Sequence, residues 1–203
     1  MTMSITRSFV APLLLGAALV VSGCATTSAP RSTAAVAPYR QALDLSGRIA
    51  INYSKDGKAE SLSGKFTWQQ SARETEVSLI SPTGQTVAVI SVTPTSATLK
   101  QSGKAPRSAA DLDALTHETL GWSLPVSGLR EWLQGYATGA DGKRFVASPA
   151  NDSVITRDGW KLDYLSWQND AAAAPQPKRI DVTRIARGDV DDMAIRIVID
   201  PSQ

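Results

Sequence analysis

The 203-residue chain holds one cysteine, Cys24, and one histidine, His117. A lone thiol closes no internal disulfide, so packing must hold the fold. Metal sites want clusters of His, Cys and carboxylates. The acidic cluster Asp189, Asp191 and Asp192 reads instead as a solvated turn between strands, and 187–189 (RGD) as a chance tripeptide. A nucleophilic triad needs a nucleophile, a positioned base and an orienting acid. His117 lies beside Glu118, but no spacing selects a serine or aspartate to join it, so it reads as a surface side chain. No glycine-rich phosphate loop is present. The formal net charge is only +2, which removes the electrostatic case for nucleic acid. No apolar run reaches the ~20 residues that cross a bilayer core of ~30 Å.

The longest apolar run, FVAPLLLGAALVV at 9–21, follows a short polar start carrying Arg7. A charged start, a short apolar core and small residues at the end make a secretory signal peptide. An ordinary cleavage site needs no cysteine, yet Val21-Ser22-Gly23 leads directly into Cys24. That junction resembles the lipobox of bacterial lipoproteins. The resemblance implies cleavage before Cys24, a diacylglycerol on its sulfur and an acyl chain on the new N-terminus. No other cofactor is expected. Two or three chains, at ~0.8 kcal/mol per buried CH₂, anchor a protein to a membrane without a span. Ala25 is compatible with sorting to an outer membrane.

After Cys24, ATTSAPRSTAAVAP at 25–38 is small, polar and proline-spotted. It buries too little to offset its conformational entropy. It reads as a flexible tether with an r.m.s. span of ~20 Å. The expected organisation is a removed signal peptide at 1–23, a lipidated cysteine and tether at 24–38, and one domain at 39–203.

Within that domain strand signals dominate. In LSGRIAINYS, Ile49, Ile51 and Tyr53 share a face, opposite Arg48 and Asn52. Phe66 and Trp68 share a face, as do Val77 and Leu79; TVAVISV sets Val87 and Val89 opposite Ala88 and Ile90. Ile195, Ile197 and Ile199 close the series. This period of two, broken by turns such as KDGK and SPTGQ, predicts an antiparallel sheet with one apolar face. From 108 to 136 the period becomes helical. Ser108 is placed to cap a first helix, with Leu112, Leu115 and Leu120 following and Gly121 as its stop. A second helix begins near Pro125 or Ser127. Its stripe of Leu129, Trp132, Leu133 and Tyr136 falls at i, i+3, i+4 and i+7, with Arg130 and Glu131 on the solvated face. Two short helices either fill a curved sheet or roof it over a cavity. Five tryptophans, Trp68, Trp122, Trp132, Trp160 and Trp167, suit a ligand cavity and an ordinary core alike.

The ordered series GRIAI, GKFTWQQ, SLISPTGQT, GWSLPVSGLREWLQG, GWKLDY, RIDVTR and IRIVID, from about Leu45 to Asp200 and behind a lipobox, resembles the LolB family of outer-membrane lipoproteins. The resemblance implies a mainly β fold: an incomplete antiparallel β-barrel with a helical lid over an apolar cavity. It implies a non-enzymatic receptor at the periplasmic face of the outer membrane. Such a receptor accepts acylated lipoproteins from the periplasmic carrier LolA and releases them into the inner leaflet. Phe66, Trp68, Leu79, Val89, Ile197 and Ile199 are the expected cavity lining from the sheet, and Leu129, Trp132 and Leu133 from the lid. The body is expected to act as a monomer. In the family an apolar residue, typically leucine, stands between the proline and glycine of a loop that touches the membrane. Here Pro82 and Gly84 flank Thr83. The segment 81–85 is either that membrane-facing loop or a plain hairpin turn. Two rival functions remain open. A structural or assembly lipoprotein acting through surface contacts would have a solid interior. A hydrolase would need converging polar groups of perturbed pKa.

Overall fold

In the computed structural model, residues 30–55, 57–112, 114–116, 126–184 and 193–201 are described; His117, Leu120, Gly121, Trp122, the acidic cluster and Cys24 lie outside them. Ten strands form one antiparallel sheet. Its first half is β1 (Leu43–Lys55), β2 (Lys58–Gln70), β3 (Thr75–Ile80), β4 (Thr86–Thr93), β5 (Ser96–Gln101) and β6 (Arg107–Ala109). The chain then crosses the concave face. Leu112 and 114–116 are helical, and helix α1 (Val126–Trp132) follows. A small hairpin of β7 (Tyr136–Thr138) and β8 (Arg144–Val146) comes next. The second half of the sheet is β9 (Ser153–Ile155), β10 (Trp160–Trp167), β11 (Pro177–Arg184) and β12 (Met193–Ile199).

The strand order is β6-β5-β4-β3-β2-β1-β12-β11-β10-β9. Two meanders are thus joined where the first and last strands pair. There Ile49 lies opposite Ile197 and Ile51 opposite Ile195, so the period-two isoleucines of two distant segments meet on one face. The edges β6 and β9 do not pair with each other. The sheet is antiparallel, as the residue pattern predicts, and stays an open half-barrel, as the family resemblance implies; its helical part is small.

The concave face is covered from within. Phe66, Trp68, Val77, Ile90, Leu99, Leu162, Ile180 and Val182 are buried in one cluster with Leu115, Leu129, Trp132 and Leu133 from the crossing segment. Trp132 packs against Trp160 with ring centroids 6.2 Å apart. Tyr164 is buried, and its hydroxyl donates to the Trp132 carbonyl at 3.0 Å. Burial, aided by the Glu131 charge, holds that phenol well above its ordinary pKa.

Three expectations need correction. Ser108 does not cap a helix: it sits in β6 with its hydroxyl 3.0 Å from Thr98 Oγ1. Asp111 caps instead, Oδ1 accepting from the Ala114 N–H at 2.8 Å, because a carboxylate one residue before Leu112 reaches a free amide of the first turn. Tyr136 continues the buried stripe but begins β7, after Gly135 takes a φ of 82°. The third concerns the tether. Arg31 pairs with Asp152, the Ala150 N–H donates to Ser32 O at 2.9 Å, and the Val36 N–H donates to Ala147 O at 3.1 Å. Val36 is in the core cluster, and Tyr136 Oη donates to Ala37 O at 2.7 Å. The compact unit accordingly runs Arg31–Gln203, and residues 31–38 belong to the body.

Candidate functional site: an apolar cavity in the half-barrel

Between the sheet and the crossing segment lies a cavity of about 210 Å³. Its sheet wall is Ile51, Leu79, Ala88, Ile90 and Leu99, and Leu112, Leu115 and Thr116 face it from the crossing segment. A deeper space of about 40 Å³ shares Ile51, Leu79 and Ile90 with it and is lined wholly by apolar side chains. Both spaces lie against that shared wall. Leu62 and Val87 stand at the mouth, 44% and 39% exposed.

The deep space gathers six of the side chains that the sequence proposes: Phe66, Trp68, Leu79, Leu129, Leu133 and Ile197. Three others lie elsewhere. Val89 is on the opposite face of β4. Leu79 pairs with Ala88 and Val77 with Ile90, and directly paired residues share a face, so Ala88 and Ile90 point inward and Val89 outward. An irregularity in the β3–β4 register at Leu79/Ile80 leaves Val87 at the mouth. Trp132 is buried in the core against Trp160, with its indole close over Gly128. Ile199 lies past the deep end, beside a separate space of about 40 Å³ with Val36, Leu43 and Leu45. Sequence reading missed Ala88, Ile90, Leu99, Leu112 and Leu115 as lining. The signal for Leu112 and Leu115 was their helical spacing; for Ala88 and Ile90 it lay in the register.

Helix α1 is fastened at its C-terminal end. Arg130, expected in solvent, donates to Thr75 Oγ1 and, at 2.7 Å, to Ser71 O. Gln134 accepts from the Arg40 N–H at 2.8 Å and donates to Arg40 O at 3.0 Å. Beneath it, buried Gln70 accepts the Trp68 indole N–H at 3.1 Å and donates to Tyr39 Oη at 3.1 Å. These bonds turn Trp68 toward the deep space and satisfy its one polar atom.

The turn at 81–85 is tied within itself. The Gly84 N–H donates to Ser81 O at 2.9 Å, Ser81 Oγ and Thr83 Oγ1 lie 2.8 Å apart, and Gly84 has a φ of 88°. Its tip is polar.

What the cavity can do follows from its lining. Among the described residues Tyr53 is the one ionisable side chain along either space, and the Thr116 hydroxyl is bonded to Leu112 O at 2.9 Å. Among the described residues no group of three His, Cys, Asp or Glu could hold a metal, and no helix is long and apolar enough to cross a membrane. An apolar cavity of ~150 Å³ stays dry and takes an apolar guest, so this larger one is suited to part of a hydrocarbon chain.

Fold and cavity together define a half-barrel with an apolar site open at one end. The family model "Outer membrane lipoprotein LolB" matches residues 41–201, and the chain belongs to that family. An outer-membrane lipoprotein LolB of Cupriavidus pinatubonensis is 37% identical over 94% of this chain and 93% of its own length. One of Cupriavidus necator is 38% identical over 92% and 93%. A solved LolA superfamily protein, NE2245 from Nitrosomonas europaea, is 8% identical over 82% of this chain and 86% of its own, with a TM-score of 0.38.

Proposed function

We propose that the protein is an outer-membrane lipoprotein receptor, anchored through acyl chains on Cys24, that accepts acylated lipoproteins from a LolA-like periplasmic carrier and passes them to the inner leaflet. The observation that carries this reading is the cavity of about 210 Å³ with its apolar extension toward Trp68. Burying acyl surface there is favourable by ~25 cal/mol per Å², so cargo moves downhill with no nucleotide and no covalent step. The half-exposed mouth leaves a bound chain partly hydrated, and the bilayer, which buries all of it, remains the better final site.

The test is transfer. The Arg31–Gln203 unit is mixed with LolA carrying a tagged lipoprotein, without ATP. The tag is expected to move to the unit. A folded unit that leaves all cargo on LolA overturns the reading in favour of a structural lipoprotein.

A further inference from the structure

The inward side chains of β1 order the interior from end to end. Tyr53 and Ile51 line the cavity at the mouth, Ile51 and Ile49 the deep space, and Leu45 and Leu43 the separate space at the far end. Side chains two apart on a strand share a face and lie ~6.5 Å apart, so the three spaces succeed one another along one strand. A partition stands between the second and the third. On β1 it falls at Gly47, which has no side chain and leaves room for the ring of Phe66 opposite it; a Cβ there would lie 2.8 Å from that ring. On β2, Trp68 stands opposite Leu45, faces the deep space and donates its indole N–H to Gln70. From the crossing segment comes Leu133, among the described residues the one side chain that lines both spaces. It is buried, and its N–H donates to Leu129 O at 3.1 Å. Beyond it the far space is walled by Val36, Pro38 and Pro177, but also by exposed Arg40, Gln176 and Asp200, so it reaches the surface.

We infer that Leu133 is the stop that sets the longest acyl chain the cavity holds. Phe66 and Trp68 are large rings fixed in place at Gly47 and by Gln70, and Leu133 is the aliphatic side chain that completes the wall. A chain entering past Leu62 and Val87 lays its methyl end in the deep space against this wall. Each methylene up to the wall is taken out of water and adds affinity. Methylenes in excess of that length stay at the mouth and add none. The stop also fixes the route out. A chain running on into the far space would meet water beside Arg40 and Asp200 and would have to be drawn back through the whole interior before release. With the wall intact it leaves as it came, through the mouth. The inference deepens the receptor reading and rests on it for the choice of an acyl chain as ligand.

The test is a chain-length series. Saturated fatty acids from octanoic to octadecanoic displace a fluorescent fatty-acid probe from the Arg31–Gln203 unit. In the parent protein affinity should rise about four-fold with each added methylene, the worth of one buried CH₂, and then level off at a definite length. Leu133→Ala joins the deep space to the far one, so the levelling-off should move longer by about three carbons, the number that the truncation removes. Leu133→Val, a milder truncation at the same place, should move it by about one carbon and serves should the alanine variant fail to fold. Leu162→Ala is the matched control. Leu162 is fully buried on β10 and lines none of the three spaces, so its loss loosens the core and should leave the limit in place. A parent profile that keeps rising to the longest acid overturns the proposal. So does a limit that the Leu133 variants leave in place, or that Leu162→Ala moves as far. Those outcomes leave the receptor reading standing. Absence of binding at every length overturns that reading, and the stop with it.

Discussion

Gln70 has both ends of its amide engaged: the oxygen takes the Trp68 indole N–H, and the nitrogen reaches Tyr39 and the carbonyls of Arg40 and Gln41. It is 5% exposed, so no solvent replaces it if it is lost. Gln70→Leu leaves the Trp68 N–H buried without an acceptor, a cost of about 1–3 kcal/mol. The urea midpoint should fall with little change in slope; an unaltered midpoint would show that Trp68 finds another acceptor. Gly47 is a second point where one atom matters. A Cβ there would lie 2.2 Å from Val198 O and 2.8 Å from the Phe66 ring. The carbonyl is fixed in the β1–β12 ladder and cannot retreat, while the ring has the deep space behind it. Gly47→Ala should therefore cost about 1–3 kcal/mol by overpacking. It should also weaken binding of a fluorescent fatty-acid probe by pushing Phe66 into the cavity. Lost stability with unchanged probe affinity would mean that the strand moved and the ring did not.

Helix α1 has seven residues, and isolated helices below ~12–15 residues are marginal in water. Tertiary contacts hold it: Leu129 and Leu133 below, Arg130 on the β2–β3 turn, Gln134 on the backbone of Arg40, and Val36 against Gly135. The segment 31–38 is part of this support. A chain beginning at Tyr39 should melt below one beginning at Arg31, since it loses a buried valine worth about 1.5–3 kcal/mol and the bonds to Ala147 and Ala150. Equal melting temperatures would return 31–38 to the role of tether. Elements differ sharply in how legible they were. The strands on either side of the β1–β12 pairing could be read because Ile49, Ile51, Ile195 and Ile197 alternate cleanly with polar residues. The stripe Leu129, Trp132, Leu133 is legible as a buried face from its helical spacing, but spacing cannot say whether a buried ring meets a cavity or another ring. At 87–90 four apolar residues in a row carry no alternation; the face was set by pairing with Val77 and Leu79, and a register shift is invisible in one strand. The docking of 31–38 depends on partners more than a hundred residues away, offered by a segment whose one sizeable apolar side chain is Val36.

At the scale of the molecule, the long-range join between first and last strands makes the half-barrel one unit, and the electrostatics of its outer face bear on that join. Asp181 lies opposite Arg196 in the β11–β12 ladder and takes a two-bond contact from Arg179 at 3.0 and 2.8 Å. Chiefly through the Arg179 hydrogen bonds, and then those from Arg196, its carboxyl is held below the usual carboxylate range. A carboxyl with a lower pKa in the folded state than in the unfolded one adds stability above the unfolded value of ~3.9. That contribution disappears as pH falls through the folded value, when both states hold the proton. Asp181→Asn should therefore lower the melting temperature slightly at pH 7, the pair being partly exposed and screened. The gap to the parent protein should stay constant across neutral pH and close below about pH 4. Melting curves from acid to neutral pH at low salt would show this, and raising the salt should narrow the neutral gap. A gap that persists undiminished into acid would mean that Asp181 acts through shape or neutral hydrogen bonding. The Asp181 contacts across the β11–β12 ladder would then owe nothing to charge.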